Sequence, residues 1–134
     1  MSLDPRIAGL VGTSWEDAHC GVLAYRALGA LGFHVERSDL WLDADIEQAR
    51  GRSQEILGGG AWVPVDGPPT LGDVILTRAP LDSACPLHVA VVGTLAGDWV
   101  LTTTKASGAI SVRRASLRAV VGTYRLREPW EVAG

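Results

Sequence analysis

The 134-residue chain is long enough for one domain with a hydrophobic core and too short for two. Hydrophobic residues make up 47% of it and charged residues 20%, and the net charge is -3, so the composition favours a folded protein and lacks the basic character of a nucleic-acid binder. The two cysteines, Cys20 and Cys85, are too few for a disulfide framework. We therefore expect one domain that spans residues 1–134.

The sequence has no segment typical of export or of membrane insertion. Its start, MSLDPRIAGLVGTSW, lacks a basic region followed by a long apolar run, which is the pattern of a signal peptide. No apolar stretch reaches the ~18 residues that a membrane helix needs. These features predict a cytoplasmic protein with free thiols and no membrane insertion.

Three helices are predicted in the first half of the chain. The first spans residues 5–11, with Asp4 as its N-cap and Pro5 at its first position. The second spans residues 20–31, carries an apolar face at helical spacing and ends at Gly32. The third spans residues 44–57 and ends at the glycine run 58–60.

The second half of the chain changes to the composition of strands. Segments rich in β-branched residues alternate with turn residues and predict strands at 72–78, 88–94, 98–104, 109–114 and 122–127. The sequences LAGD and KASG are typical of tight connections between antiparallel strands, and residues 115–121 favour a single helical turn. Helices followed by an antiparallel sheet predict an α+β fold, with the helices packed on one face of a five-stranded sheet.

Cys20 occupies the position at which a polar segment, WEDAH, gives way to the second predicted helix. Unpaired N–H groups and the helix dipole at such a position favour the thiolate over the thiol. The same N–H groups can stabilise an oxyanion. The position therefore favours a nucleophilic cysteine, although a free cysteine is also commonly a small buried residue.

A nucleophilic cysteine requires a base, and the chain has three histidines. His19 is adjacent to Cys20, so their side chains are expected to point apart. His34 follows the helix and lies roughly 20 Å from Cys20 at about 1.5 Å per residue. His88 begins the predicted strand HVAVV after a loop, where it can face a cleft. A cysteine at a helix start paired with a histidine at a strand start is the papain-like arrangement.

Three blocks of the sequence, in order, carry a resemblance to a known family. They are HCGVLAYRALGALG, GDVILTR and HVAVVGTLAGDWVLTT. Together they resemble the NlpC-type family of papain-like cell-wall cysteine peptidases, and most closely its branch in phage tails and tail-like particles, in which a Trp such as Trp15 precedes the cysteine. The resemblance covers roughly residues 8 to 127.

The resemblance implies hydrolysis of amide bonds in peptidoglycan stem peptides without a cofactor. Cys20 matches the nucleophile and His88 the base. A third polar residue on the next strand orients the base in the family, and this position falls at Thr102, or at Thr103 or Thr104 if the hairpin is longer. The implied partners are peptidoglycan peptides and tail proteins, and the implied location is the cytoplasm during assembly and then the particle.

Three further residues are candidates for contact with substrate: Trp15, Asp17 and Trp62. Trp15 has an indole N–H that can support an oxyanion hole. Asp17 belongs to the segment before Cys20, and helix capping is the alternative role for it. Trp62 lies in the Gly- and Pro-rich segment GGGAWVPVDGPP and lines a groove for an extended peptide or packs against the sheet.

Several alternatives remain open at the level of sequence. Cys85 lies three residues before His88 and is a loop cysteine without a role, or a redox partner of Cys20. His19, Cys20, Cys85 and His88 also permit a zinc site, although adjacent residues are poor ligand spacing. A threonine carries no charge and holds an imidazole less firmly than a histidine does. This departure supports a second hypothesis, a structural tail-assembly or tail-tip module with weak or no turnover.

Overall fold

The computed structural model describes residues 3–17, 20–35, 62–78, 87–104 and 106–126. These residues form two α-helices, α1 (Pro5–Ala8) and α2 (Cys20–Ala30), and one sheet. The strands of the sheet are β1 (Trp62–Pro64), β2 (Val74–Arg78), β3 (Leu87–Val92), β4 (Trp99–Thr104), β5 (Gly108–Arg113) and β6 (Val120–Leu126). A 3₁₀ helix, Arg114–Ser116, lies between β5 and β6.

The sheet has the strand order β1-β6-β2-β3-β4-β5, and every neighbouring pair is antiparallel. Strands β2 to β5 therefore follow one another in space as they do in sequence. The final strand, β6, returns across the sheet and pairs with β2 on one side and with β1 on the other. Five of the six strands match the predicted ones, with ends that differ by at most two residues.

The predicted LAGD connection joins β3 to β4. Gly97 lies in this loop with a φ of +78°, a conformation that suits glycine. A Cβ at Gly97 would collide with the carbonyl oxygen of Pro69, so the glycine also permits a close approach of two backbones. The KASG connection joins β4 to β5, as predicted.

Helix α1 begins as predicted, with Asp4 as its N-cap. The Asp4 carboxylate accepts a hydrogen bond from the Arg6 backbone N–H at 2.9 Å, and Pro5 follows at the first helical position. The helix ends at Ala8, earlier than predicted. Beyond it, Gly12 donates its N–H to the carbonyl oxygen of Ala109 in β5. This tertiary hydrogen bond draws the chain toward the edge of the sheet.

Helix α2 packs one apolar stripe against strands β3 and β4. Its buried side chains recur at helical spacing and share the main core with β-strand residues; they are Leu23, Ala24, Ala27 and Leu28. The two alanines are small, which brings the helix close to the sheet. Among the described residues, no helix combines the length and the apolar character that crossing a membrane requires.

The two faces of the sheet carry different apolar clusters. One face contributes Val89, Val91 and Leu101 to the main core shared with α2. The other face contributes Ala90, Val92 and other residues to a smaller cluster, against which Leu117 packs. This division follows from the alternation of side chains along each strand.

The predicted papain-like arrangement, N-terminal helices packed on a five-stranded sheet, is wrong. The described residues form a six-stranded antiparallel sheet with two short helices, of 4 and 11 residues. Strand β1 is absent from the sequence-based prediction because a three-residue strand that ends in Pro64 is too short to show alternation. The third predicted helix, residues 44–57, lies outside the described residues.

An ion pair between a buried carboxylate and a half-exposed arginine joins the start of β2 to β6. The Asp73 side chain is 1% exposed and accepts two hydrogen bonds from Arg125, at 2.8 and 2.9 Å. It also accepts the backbone N–H of Thr70 at 2.9 Å. The hydrogen bonds that Arg125 donates to Asp73 raise the pKa of Arg125 above its ordinary value. The pair therefore fixes β6 beside β2 near the loop that precedes β2.

We expect Arg125→Met to lower the free energy of unfolding by about 1–3 kcal/mol, because it leaves a buried carboxylate without its charged partner. Urea unfolding measures the change as a shift in the midpoint. Arg118→Met is the matched control, since Arg118 is exposed and, among the described residues, donates to backbone carbonyls. Equal midpoints for the two variants would show that the ion pair contributes nothing to stability.

Candidate functional site

Four strand ends meet at the end of the sheet where β3 begins. His88 is the second residue of β3 and lies opposite Thr77 near the end of β2. Thr77 in turn lies opposite Val120, the first residue of β6, and the antiparallel β4 ends nearby at Thr104. We call this region, defined by Thr77, His88, Thr104 and Val120, the His88 end of the sheet.

Trp15 contacts His88 at this end. The centroids of the two rings are 6.2 Å apart, and the ring planes are inclined at 59°. This geometry is typical of a tilted aromatic pair. Trp15 lies in the turn formed by residues 15–17, which precedes α2. The contact therefore brings the segment that leads to Cys20 beside His88.

Burial changes the protonation of His88. The side chain is half-buried, and desolvation lowers the pKa of His88 below its ordinary value of 6.5. The imidazole is therefore neutral at neutral pH. A neutral imidazole can accept a proton, as a general base must.

Alternation along β3 fixes the direction from which His88 can be reached. Val89 and Val91 point toward α2 in the main core, whereas His88 shares the opposite face with Ala90. His88 thus does not lie beneath α2. Its ring contacts Trp15 at the His88 end of the sheet.

Cys20 is the first residue of α2, as the sequence predicted. The helix has 11 residues, so its first turn presents unpaired N–H groups and the positive end of a helix dipole. The Cys20 side chain lies outside the described atoms, as do His19 and Cys85. The pairing of Cys20 with His88 therefore stays a prediction.

The register of β3 and β4 distinguishes the three threonines proposed to orient His88. Val91 lies opposite Leu101 and Val92 opposite Val100. Continued along the strands, this register places Thr104 opposite His88 and Thr102 opposite Ala90. Thr104 accepts the backbone N–H of Ser107 at 3.0 Å, so its hydroxyl is held in the β4–β5 turn.

Thr103 lies on the other face of β4. Its side chain is 1% exposed and shares the face of Leu101, toward α2. Among the described residues, its Oγ1 has no hydrogen-bond partner. The face that it occupies is the one opposite His88, which separates it from the imidazole.

A β-bulge lies at the same end of the sheet. The register between β2 and β6 shifts between Leu76, opposite Gly122, and Thr77, opposite Val120. The extra residue is Val121. Bulges bend a strand and are common beside functional sites. This one alters the course of β6 two strands away from His88.

The remaining predicted site residues lie apart from one another. Trp62 is 2% exposed and packs in the main core opposite Leu126, which favours packing over contact with a substrate. Asp17 is exposed in the turn before α2, where its backbone N–H donates to Ser14 Oγ at 3.3 Å. Of the three substrate candidates, Trp15 is the one in contact with His88.

The described residues contain no group of three or more His, Cys, Asp and Glu side chains able to hold a metal ion. Three of the four residues considered as zinc ligands, His19, Cys20 and Cys85, fall outside the side chains described. A scan of the sequence against protein-family models finds no match, and a search of curated proteins finds none either.

The lowered pKa of His88 predicts a pH-dependent stability. The unfolded chain binds a proton at His88 near pH 6.5, whereas the folded chain binds it only at lower pH. The free energy of unfolding should therefore fall as the pH drops below about 6.5. Above that pH, the contribution of the neutral His88 to stability is complete. Urea unfolding measures this effect. Between pH 7 and 5, the free energy of unfolding of His88→Gln should change less than that of the wild-type protein. The same slope in both proteins would contradict the assignment.

Proposed function

We propose that this protein is a cysteine hydrolase that cleaves amide bonds in peptidoglycan stem peptides, with Cys20 as nucleophile and His88 as base. The observation that carries the proposal is the contact between Trp15 and His88. It connects the turn before Cys20 with a half-buried histidine whose strand begins at the same end of the sheet.

Each group supplies a distinct part of the reaction. His88 takes the proton of the Cys20 thiol, and the thiolate attacks the carbonyl carbon of the substrate amide. The tetrahedral intermediate carries a negative oxygen, which the N–H groups of the first turn of α2 are suited to bind. His88 then gives its proton to the leaving amine, and a thioester forms. Water, deprotonated by His88, cleaves the thioester and releases the acid.

The substrate class comes from the resemblance of three sequence blocks to NlpC-type peptidases. The same resemblance to the phage-tail branch supports association with a tail or tail-like particle. On this proposal the protein is assembled in the cytoplasm and meets the cell wall as part of the particle. Its partners are peptidoglycan peptides and tail proteins.

A structural tail-assembly or tail-tip module with weak turnover is the second candidate. Two observations favour it. In β4, the neighbouring strand that the structure describes, the polar residues that could orient His88 are threonines, which carry no charge. His88 also shares the face of β3 that points away from α2. Both features weaken the coupling between Cys20 and its base.

Alkylation of the thiols tests the nucleophile. We expect iodoacetamide at neutral pH to modify Cys20 faster than Cys85, because the start of α2 favours the thiolate. Mass spectrometry of the digested protein at timed intervals measures both rates in one sample. His88→Gln should slow the labelling of Cys20 selectively. Equal and slow labelling of the two cysteines would favour the structural module.

Cleavage of defined muropeptides tests the reaction itself. Wild-type protein should release stem-peptide fragments that mass spectrometry detects. Cys20→Ala should abolish cleavage, and Cys85→Ala, the matched control, should retain it. Absence of products from wild-type protein at all substrate compositions would overturn the hydrolase proposal.

The register predicts which threonine supports the imidazole. Thr104→Val should lower kcat about fivefold. This factor corresponds to the loss of one neutral hydrogen bond of about 1 kcal/mol in the transition state. Thr102→Val preserves the shape of its side chain and should leave kcat within about twofold. The reverse order would assign the orienting role to Thr102, the position favoured by sequence.

A further inference from the structure

We propose that Trp15 is a positioning residue for His88: its indole covers one side of the imidazole, holds the ring in one orientation and limits its contact with water. The catalytic consequence rests on the proposed function. The effect on His88 itself does not, since it follows from the contact between the two rings.

The separation and tilt of the rings favour a specific contact. The centroids are 6.2 Å apart and the planes are inclined at 59°, which is within the range of a tilted contact between two rings. Both side chains are partly buried. An indole is large enough to cover much of an imidazole, and it contributes no charge. This agrees with the cause of the lowered pKa of His88, which is burial.

Backbone hydrogen bonds hold the segment that carries Trp15. Gly12 donates to the carbonyl oxygen of Ala109 at 2.8 Å, and Ala109 donates to that of Thr13 at 2.8 Å. The N–H of Asp17 donates to Ser14 Oγ and closes the turn. Trp15 is therefore attached to β5 on one side and to a closed turn on the other.

Gly108 permits this attachment. A Cβ at Gly108 would lie 2.5 Å from the carbonyl oxygen of Thr13 and 3.4 Å from Cα of Ser14. Its φ of +67° also favours glycine. The first residue of β5 thus lets the chain before Trp15 lie directly against the sheet. The position of the indole is fixed by backbone contacts and does not depend on a substrate.

Ionisable groups near this contact come from three elements. Glu16 and Asp17 lie in the same turn as Trp15. Cys20 begins α2, and Arg78 ends β2 opposite Leu87. The test therefore follows His88 directly and does not rely on a pH profile alone.

The test compares Trp15→Leu and Trp15→Phe with Trp99→Leu. Trp99 is the matched control, because it is also half-buried but begins β4 at the other end of the sheet, where Arg113 lies 5.2 Å from its ring centroid. The titration of His88 is followed by the NMR signal of its ring protons. Hydrolysis of a defined muropeptide is followed as kcat and KM against pH.

We expect Trp15→Leu to raise the pKa of His88 toward 6.5, because the imidazole becomes more exposed to water. Trp15→Phe should give a smaller change in the same direction, and Trp99→Leu none. In the cleavage assay, Trp15→Leu should lower kcat at least about tenfold and leave KM nearly unchanged. The acid limb of the plot of kcat against pH should move to higher pH.

An unchanged His88 titration in both Trp15 variants would overturn the proposal. If Trp15→Leu fails to fold, the titration of Trp15→Phe decides. A rise in KM without a shift in the acid limb of the kcat profile would assign Trp15 to substrate binding. That result would also overturn the positioning role of Trp15. A shifted titration in a protein that cleaves no muropeptide would sink the hydrolase proposal and leave the control of His88 by Trp15 standing.

Discussion

Alternation of side chains along β3 is the constraint on which both the core and the candidate site depend. Odd-numbered residues of the strand, Val89 and Val91, pack against α2 and join the helix to the sheet. The residues between them must then face away from the helix. His88 is one of these, and as the second residue of β3 it lies at the end of the sheet. The same register that builds the core therefore places the histidine at the end of the sheet.

Two different physical effects act on the two candidate reactive groups. Burial lowers the pKa of His88 and so keeps its imidazole neutral at neutral pH. The start of α2 offers unpaired N–H groups and a helix dipole at Cys20, which favour negative charge. A neutral base and a stabilised thiolate are complementary requirements of thiol chemistry. The turn that carries Trp15 connects them, because it precedes the helix and contacts the histidine.

Local pattern predicted much of the secondary structure but not the architecture. Alternation identified β2 to β6, and helical spacing with a glycine stop identified α2. The short strand β1 escaped because three residues do not display a period. Its place in the sheet depends on pairing with β6, far away in sequence. Counting it changes the sheet from five strands to six, and the expected papain-like arrangement is replaced by a sheet with two short helices.

The sequence by itself determined that Cys20 would begin a helix and that His88 would lie near the start of a strand, since caps, turns and periodicity act between near neighbours. Only the tertiary structure decided which face of the sheet the histidine occupies and which aromatic ring covers it. It also decided that Thr104 and not Thr102 lies opposite His88 along the continued register. These outcomes depend on strand register and on backbone contacts between distant segments, such as Gly12 with Ala109, which leave no periodic trace in the sequence.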